Sequence, residues 1–313
     1  MSVRQAWRLA ARWAMELILV LLCVVLALGA PNFLTLANLL TVLQSISMQG
    51  LIALGMTLVI LVREIDLSVG AAAAFSGCLV AWLAGRGVPI PAAISLALAA
   101  GALLGVFTGV MRARFAVPSF ITTLALFTGL RGGALLLTGG FPLTPFPQSY
   151  AFLGSGHVAG VPFPALLLAA GFLFTHVLMR RTAFGRAVYA AGGNPEAARL
   201  AGIHVARVRT LVLALTGLLA ALSGVVLSSR IMSGTPTVAQ GWELDVIAAV
   251  IIGGTSLAGG VGTVWGTLVG IVFIGVVVNG MTLLDVQPYT QHVVRGLLIF
   301  AAVLLNRAHA PRE

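Results

Sequence analysis

Acid–base, nucleophilic or metal chemistry needs side chains that converge, and this sequence offers few. Glu64 and Asp66 stand two apart in REIDLSVG, residues 63–70, where paired carboxylates suggest acid–base work or proton coupling. Next to Arg63 and at the start of an apolar run, the preferred use is ion pairing with that arginine, plus a helix cap from Asp66 or Ser68. The five histidines are scattered one to a segment, and neither His157 nor His176 has a partner at ligand spacing, so no metal site is expected. Cys23 and Cys78 both fall inside apolar runs and read as small packing residues. The glycine-rich stretch 251–270, IIGGTSLAGGVGTVWGTLVG, lacks the lysine and spacing of a nucleotide loop. Its Gly262, Gly266 and Gly270 stand four apart, as do Gly101, Gly105 and Gly109, and such bare faces suit close helix packing. No catalytic residue and no bound cofactor are expected.

Two other constellations are more informative. Asn38, Thr41, Ser45 and Gln49 follow spacings of three, four and four, which places them on one helix face. In a membrane such a stripe either lines a path for a polar solute or hydrogen-bonds neighbouring helices, the commoner use. The second is residues 180–209, which opens RRTAF and closes NPEAARLAGIHVARVR, the long stretch too polar to sit in a bilayer. Asn194 can cap a helix there, Pro195 suits its first position, and Gly202 can close it in a left-handed turn. Glu196 near the start and Arg199 near the end carry the signs the helix dipole favours. A short helix on an exposed loop follows, either a docking surface or a connector held at the headgroups by its arginines.

The elements that hold these residues are set by composition. Hydrophobic residues make up 59% of 313 and charged residues 8%, outside the range of soluble domains. Apolar runs of about 20 residues, enough to span a bilayer, recur almost end to end. They are continuous and do not alternate, so the fold class is all-α: a polytopic membrane protein forming one transmembrane domain over 1–313. The expected spans are 13–30, 38–62, 69–84, 90–110, one opening at Pro118, 163–179, 211–228, one re-entering at Val246, one ending near Asp285, and 289–305. Segment 246–257 is short, so it either crosses or is re-entrant. Arg131 within the fifth span can snorkel outward, pair with an acid or line a solute path.

The net charge of +10 comes from arginine alone. With about ten spans and the N-terminus inside, the inner face collects Arg4, Arg8, Arg12, Arg63, Arg112, Arg114, Arg180, Arg181, Arg186, Arg199, Arg207, Arg209, Arg307 and Arg312. Only Arg86 and Arg230 fall outside, and Arg131 and Arg295 lie within spans; this asymmetry puts both termini in the cytoplasm. Arginines at the ends of apolar runs point to lipid rather than nucleic acid. Arg12 and Glu16 stand one helical turn apart and can pair. The carboxylates gather at span ends, which argues against an ion-coupled carrier.

The chain resembles the permease subunits of ribose-type monosaccharide ABC importers, a group related to branched-chain amino acid permeases, from about Asn38 to Leu305. The likeness is carried by GLIALGMTLVILVREIDLSVG (50–70), LRGGALLLTGG (130–140), the segment 185–203 that ends YAAGGNPEAARLAGI, ELDVIAAVIIGGTSLAGGVGTVWGTLVG (243–270) and NGMTLLDV (279–286). It departs where Arg63 and Glu64 precede Ile-Asp-Leu-Ser, since the familiar form has uncharged residues there. The resemblance implies a homodimeric pore in the bacterial inner membrane, a cytoplasmic ATPase that binds ATP, and a periplasmic solute-binding protein. It makes Asn194, Pro195, Glu196, Ala197, Ala198, Gly202 and Ile203 a coupling helix for that ATPase, with alanines small enough for close docking. Cargoes such as amino acids, nucleosides or another polyol stay open.

Overall fold

The computed structural model describes residues 13–309. Its thirteen helices are α1 Ala14–Gly29, α2 Leu36–Leu61, α3 Val69–Ala84, α4 Ile90–Arg114, α5 Ser119–Thr138, the single turn α6 Phe152–Ser155, α7 Phe163–Arg181, α8 Ala183–Gly193, α9 Pro195–Leu200, α10 Val205–Ile231, α11 Trp242–Ile252, α12 Val264–Leu283 and α13 Pro288–His309. A two-residue hairpin, β1 His157–Val158 with β2 Val161–Pro162, lies in the proline-rich connection before α7. Among the described residues six helices, α2, α4, α5, α7, α10 and α12, are long and apolar enough to cross a membrane. The chain is a multi-pass helical membrane protein. Arg4, Arg8, Arg12 and Arg312 lie outside the described residues; Glu16 accepts a bond from Trp265 Nε1 at 3.2 Å.

The core is built around α2. Thr35 caps it by accepting from the Asn38 amide at 3.3 Å, and from Ile46 to Leu61 nearly every side chain is buried. Helix α10 packs along both α2 and α4, and the glycines explain how closely. A Cβ added at Gly101 would stand 2.5 Å from Gly217 O, and one at Gly109 would stand 2.5 Å from Thr210 Cα. At Gly105 it would run into the backbone of Leu213. Gly105→Ala is therefore expected to lower stability by about 2 kcal/mol, the scale of overpacking, read as a lower thermal midpoint in detergent. Gly270 of α12 meets the backbone of α11 at Ala249, and Gly266 meets Gly253, the residue just past the end of α11. Gly262 departs from the expected helical face: it precedes α12, with φ 155°, and closes against the Thr255 side chain.

Observed and expected spans differ where charge interrupts an apolar run. The seventh, expected at 211–228, is the 27-residue α10, Val205–Ile231. Its first turns carry Arg207 and Arg209, but Val205 and Val208 are buried and Arg209 meets Glu64, so the helix continues past its charges. Stretch 180–209 holds a second helix, α8, that the caps of α9 did not announce. Thr182 opens α8 by accepting from the Gly185 amide at 3.2 Å.

The short eighth segment is half a helix. The 11 residues of α11 rise about 16 Å, half a hydrocarbon core. Asp245 in its first turn meets Gln49, the midpoint of α2, while its last residues lie beside the start of α12. Before it comes the non-helical stretch 232–241, which runs along α3, with Gly234 against Ala81 and Ala239 against Gly70. Irregular backbone at such depth needs internal hydrogen-bond partners. Arg131 of α5 supplies them, donating from Nη1 to Pro236 O at 2.9 Å and to Val238 O at 2.7 Å.

Candidate functional site

A cavity of about 370 Å³ opens between α2, α10, α11, α12 and α13. Thr41, Ser45 and Gln49 of the predicted stripe line it, joined by Arg230, Trp242, Asp245, Asn279, Thr282 and Arg295. Asn38 is outside the lining. Its side chain exchanges two amide hydrogen bonds with Asn279, at 3.0 and 2.8 Å, which tie the first turns of α2 to the far end of α12. Of the stripe, Asn38 only joins helices, Ser45 and Gln49 both bond neighbouring helices and border the space, and Thr41 borders it.

The electrostatics of the cavity come from groups that sequence left scattered. Asp245 Oδ2 lies 3.2 Å from Arg295 Nη1 and accepts from Gln49 Nε2 at 3.3 Å. Arg230 Nη1 donates to Ser45 Oγ at 3.3 Å. A buried charge must be paired and hydrogen-bonded to persist, and Asp245 is both. Glu243, buried two residues earlier, lies within electrostatic range of Arg131. The expectation that carboxylates keep to span ends is corrected here. Glu243 and Asp245 do open a helix, but the helix is α11, whose start lies deep in the bundle. The signal that could have found them was an intramembrane arginine in each of two spans, Arg131 and Arg295, since each needs a partner.

At the opposite end, the polar stretch forms the predicted capped helix. Asn194 Oδ1 accepts from the Glu196 amide at 3.1 Å and the Ala197 amide at 3.0 Å, with Pro195 at the first position. Gly202 takes φ 83° and Ile203 N donates to Ala198 O at 2.9 Å, which closes the helix. Glu196 and Arg199 pair at 3.2 Å on its exposed face, and Ala198 is buried beneath it. Tyr189 of α8 donates to Gly262 O at 3.0 Å; burial raises its phenol, and Arg180 pulls it back. Arg112, Arg199, Arg207 and Arg209 line a groove beside the helix.

The expected pairing of Glu64 with Arg63 is corrected. Glu64 is buried, accepts from Arg112 Nε at 2.9 Å, and lies 3.2 Å from Arg209 Nε. Arg63, with φ 62°, turns away to the end of α8. Nor does Ser68 cap α3 with its side chain; Asp66 Oδ1 accepts from the Ser68 amide at 2.8 Å and hydroxyl at 2.6 Å, turning the chain into the helix. Among the described residues no group of three or more His, Cys, Asp and Glu is placed to hold a metal.

Comparison with known proteins gives this geometry a context. Residues 38–303 match the family described as branched-chain amino acid transport system / permease component. The chain is 44% identical over 291 residues to the ribose import permease protein RbsC of Bacillus subtilis, covering 92% of this chain and 90% of the relative. It is 42% identical over 303 residues to RbsC of Escherichia coli K12, covering 94% of each. With the L-arabinose ABC transporter permease protein AraH of Azospirillum brasilense it shares 37% identity over 301 residues, 96% of this chain and 89% of the relative. No solved structure matches. Matched along nearly its whole length, the chain belongs to the branched-chain amino acid transport system permease family, as a ribose-type ABC permease.

Proposed function

We propose that this chain is the membrane subunit of an ATP-binding cassette importer that carries a monosaccharide or similar small polar solute inward across the bacterial inner membrane. One observation carries the reading: the end-to-end similarity to relatives named for ribose and arabinose transport. The chain itself hydrolyses nothing. A cytoplasmic ATPase docks on α9, a periplasmic binding protein delivers the solute, and a second copy completes the pore. ATP-driven closure of the ATPases moves the α9 helices and reorients the bundles around the cavity, giving alternating access. The 232–241 stretch and α11 together make one crossing, so about ten crossings keep both termini in the cytoplasm.

The cavity suits such a cargo, because Thr41, Ser45, Gln49 and Asn279 offer neutral donors and acceptors that match hydroxyl groups. The test is uptake of labelled monosaccharides into proteoliposomes containing the chain, its ATPase and binding protein. Uptake that requires ATP supports the proposal; uptake by the chain alone on an ion gradient replaces it with a secondary carrier. Glu243 and Asp245 at a broken helix give that rival a specific footing. Asp245 already has a counter-ion in Arg295, however, and Glu243 lies within electrostatic range of Arg131. Ser45→Leu and Gln49→Leu are each expected to slow uptake roughly tenfold, the scale of one lost hydrogen bond to a charged or strongly polar partner, with ATPase docking intact. Unchanged uptake would return the stripe to packing.

A further inference from the structure

The end of α2 is tied to the polar loop on both sides of α9. Arg63 donates from Nη2 to Gly193 O at 2.6 Å and from Nε to Gly192 O. These are the last carbonyls of α8, left without partners inside that helix and favourable sites for a cation. Helix α9 begins two residues later, at Pro195. Glu64, the next residue, holds Arg209 in the second turn of α10, just beyond α9, and Arg112 near the end of α4. The backbone reinforces the joint: Gly260 N donates to Leu61 O at 2.9 Å, and Gly192 lies so close to Leu61 O that a Cβ would collide with it. Two adjacent residues on one helix end thus fasten the chain entering α9 and the chain leaving it.

That helix is also the one that reaches the cavity. From Leu61 to Gln49 is twelve residues of uninterrupted helix, a rod of about 18 Å. Over most of that length its side chains are buried, so it cannot bend without disturbing the core. A displacement of α9 therefore reaches Gln49, Ser45 and Thr41 through Arg63 and Glu64.

We infer that Arg63 and Glu64 are positioning residues for coupling, forming the joint through which movement of α9 is passed along α2 to the cavity. The inference rests on the importer reading above. Neither residue touches solute or nucleotide; each acts by holding two elements in one moving body.

The experiment uses the full transporter in proteoliposomes and reads ATP hydrolysis and solute uptake together. Arg63→Gln is expected to co-purify with the ATPase and hydrolyse ATP, while uptake per ATP falls about tenfold, the factor for one charge-assisted hydrogen bond. Glu64→Gln should act in the same direction, whereas Arg63→Lys, which keeps the charge, should recover part of the ratio. A merely structural role would lower hydrolysis and uptake together and leave their ratio unchanged, which overturns the inference. A second measurement covers loss of fold in Arg63→Gln. With Cys23 and Cys78 replaced by serine, Arg63→Cys with Gly193→Cys is bridged by a short bifunctional thiol reagent. Gly193 is exposed, with no atoms near an added Cβ, so the reagent has access. Bridging should raise uptake per ATP over the same protein treated with a monofunctional reagent; an equal ratio overturns the joint. If the unaltered chain neither binds an ATPase nor shows ATP-dependent uptake, the importer reading fails instead, so the two failures are distinguishable.

Discussion

Replacing residues 194–198 by glycines, or making Glu196→Arg, is expected to abolish uptake while leaving the protein in the membrane. Helix α9 is six residues long and depends on the two bonds accepted by Asn194 and the left-handed closure at Gly202. Replacing such a cap by glycine costs only a few tenths of a kcal/mol, but each interior glycine costs up to about 1 kcal/mol more. A two-turn helix has no reserve of that size, so α9 unravels, while the spans, packed elsewhere, persist. Glu196→Arg makes a sharper test. Its pair with Arg199 is about two-thirds exposed on both sides and contributes little stability. The change also opposes the helix dipole and faces Arg199, each effect under about 1 kcal/mol, so the helix held by Asn194 and Gly202 stays folded while its docking charge is reversed. The measurement is uptake in membrane vesicles, with membrane abundance and ATPase co-purification followed together. Normal uptake at normal abundance would remove α9 from the coupling role.

Arg295→Leu is expected to destabilise the protein by about 3 kcal/mol, because it leaves the buried Asp245 carboxylate without its counter-ion. Gln49 stays as a neutral donor at 3.3 Å and compensates only in part. The same principle fixes the sign of the control. Arg295→Leu combined with Asp245→Leu removes both charges and should recover most of the loss, since replacing a buried pair by apolar groups is often close to neutral. Thermal unfolding in detergent for the two single variants and the double variant gives the coupling directly. Additive losses would mean that the pair is solvated and structurally idle. Because both side chains border the cavity, uptake by a stable double variant also tells whether the charges matter to transport beyond holding α11 against α13.

Much of this was legible without coordinates. The α9 cap could be read because its signals are local: Asn194, Pro195 and Gly202 each act within a turn of themselves. The helical spacing of Gly101, Gly105 and Gly109 likewise indicated a bare face, though not that α10 fills it. The site was legible by halves. Thr41, Ser45 and Gln49 could be placed on one face by spacing, but Asp245, Arg230, Asn279 and Arg295 come from four other helices, separated from them by long stretches of chain. Helix α8 was missed because α9 carried the stronger end signals.

That this is an all-α, multi-pass membrane protein with one polar, capped loop was settled by composition, run length and contacts within a turn, all of which can be read along the chain. The likeness to ABC permeases was legible in the same way, through long segments in a fixed order. Which charges meet depended on packing in three dimensions. Glu64 joins Arg112 and Arg209 instead of its neighbour Arg63, and Asp245 lies deep in the bundle because α11 is half a helix. The physical reason is that a buried charge in an apolar medium takes the counter-ion that packing brings within reach, and sequence distance does not limit that choice.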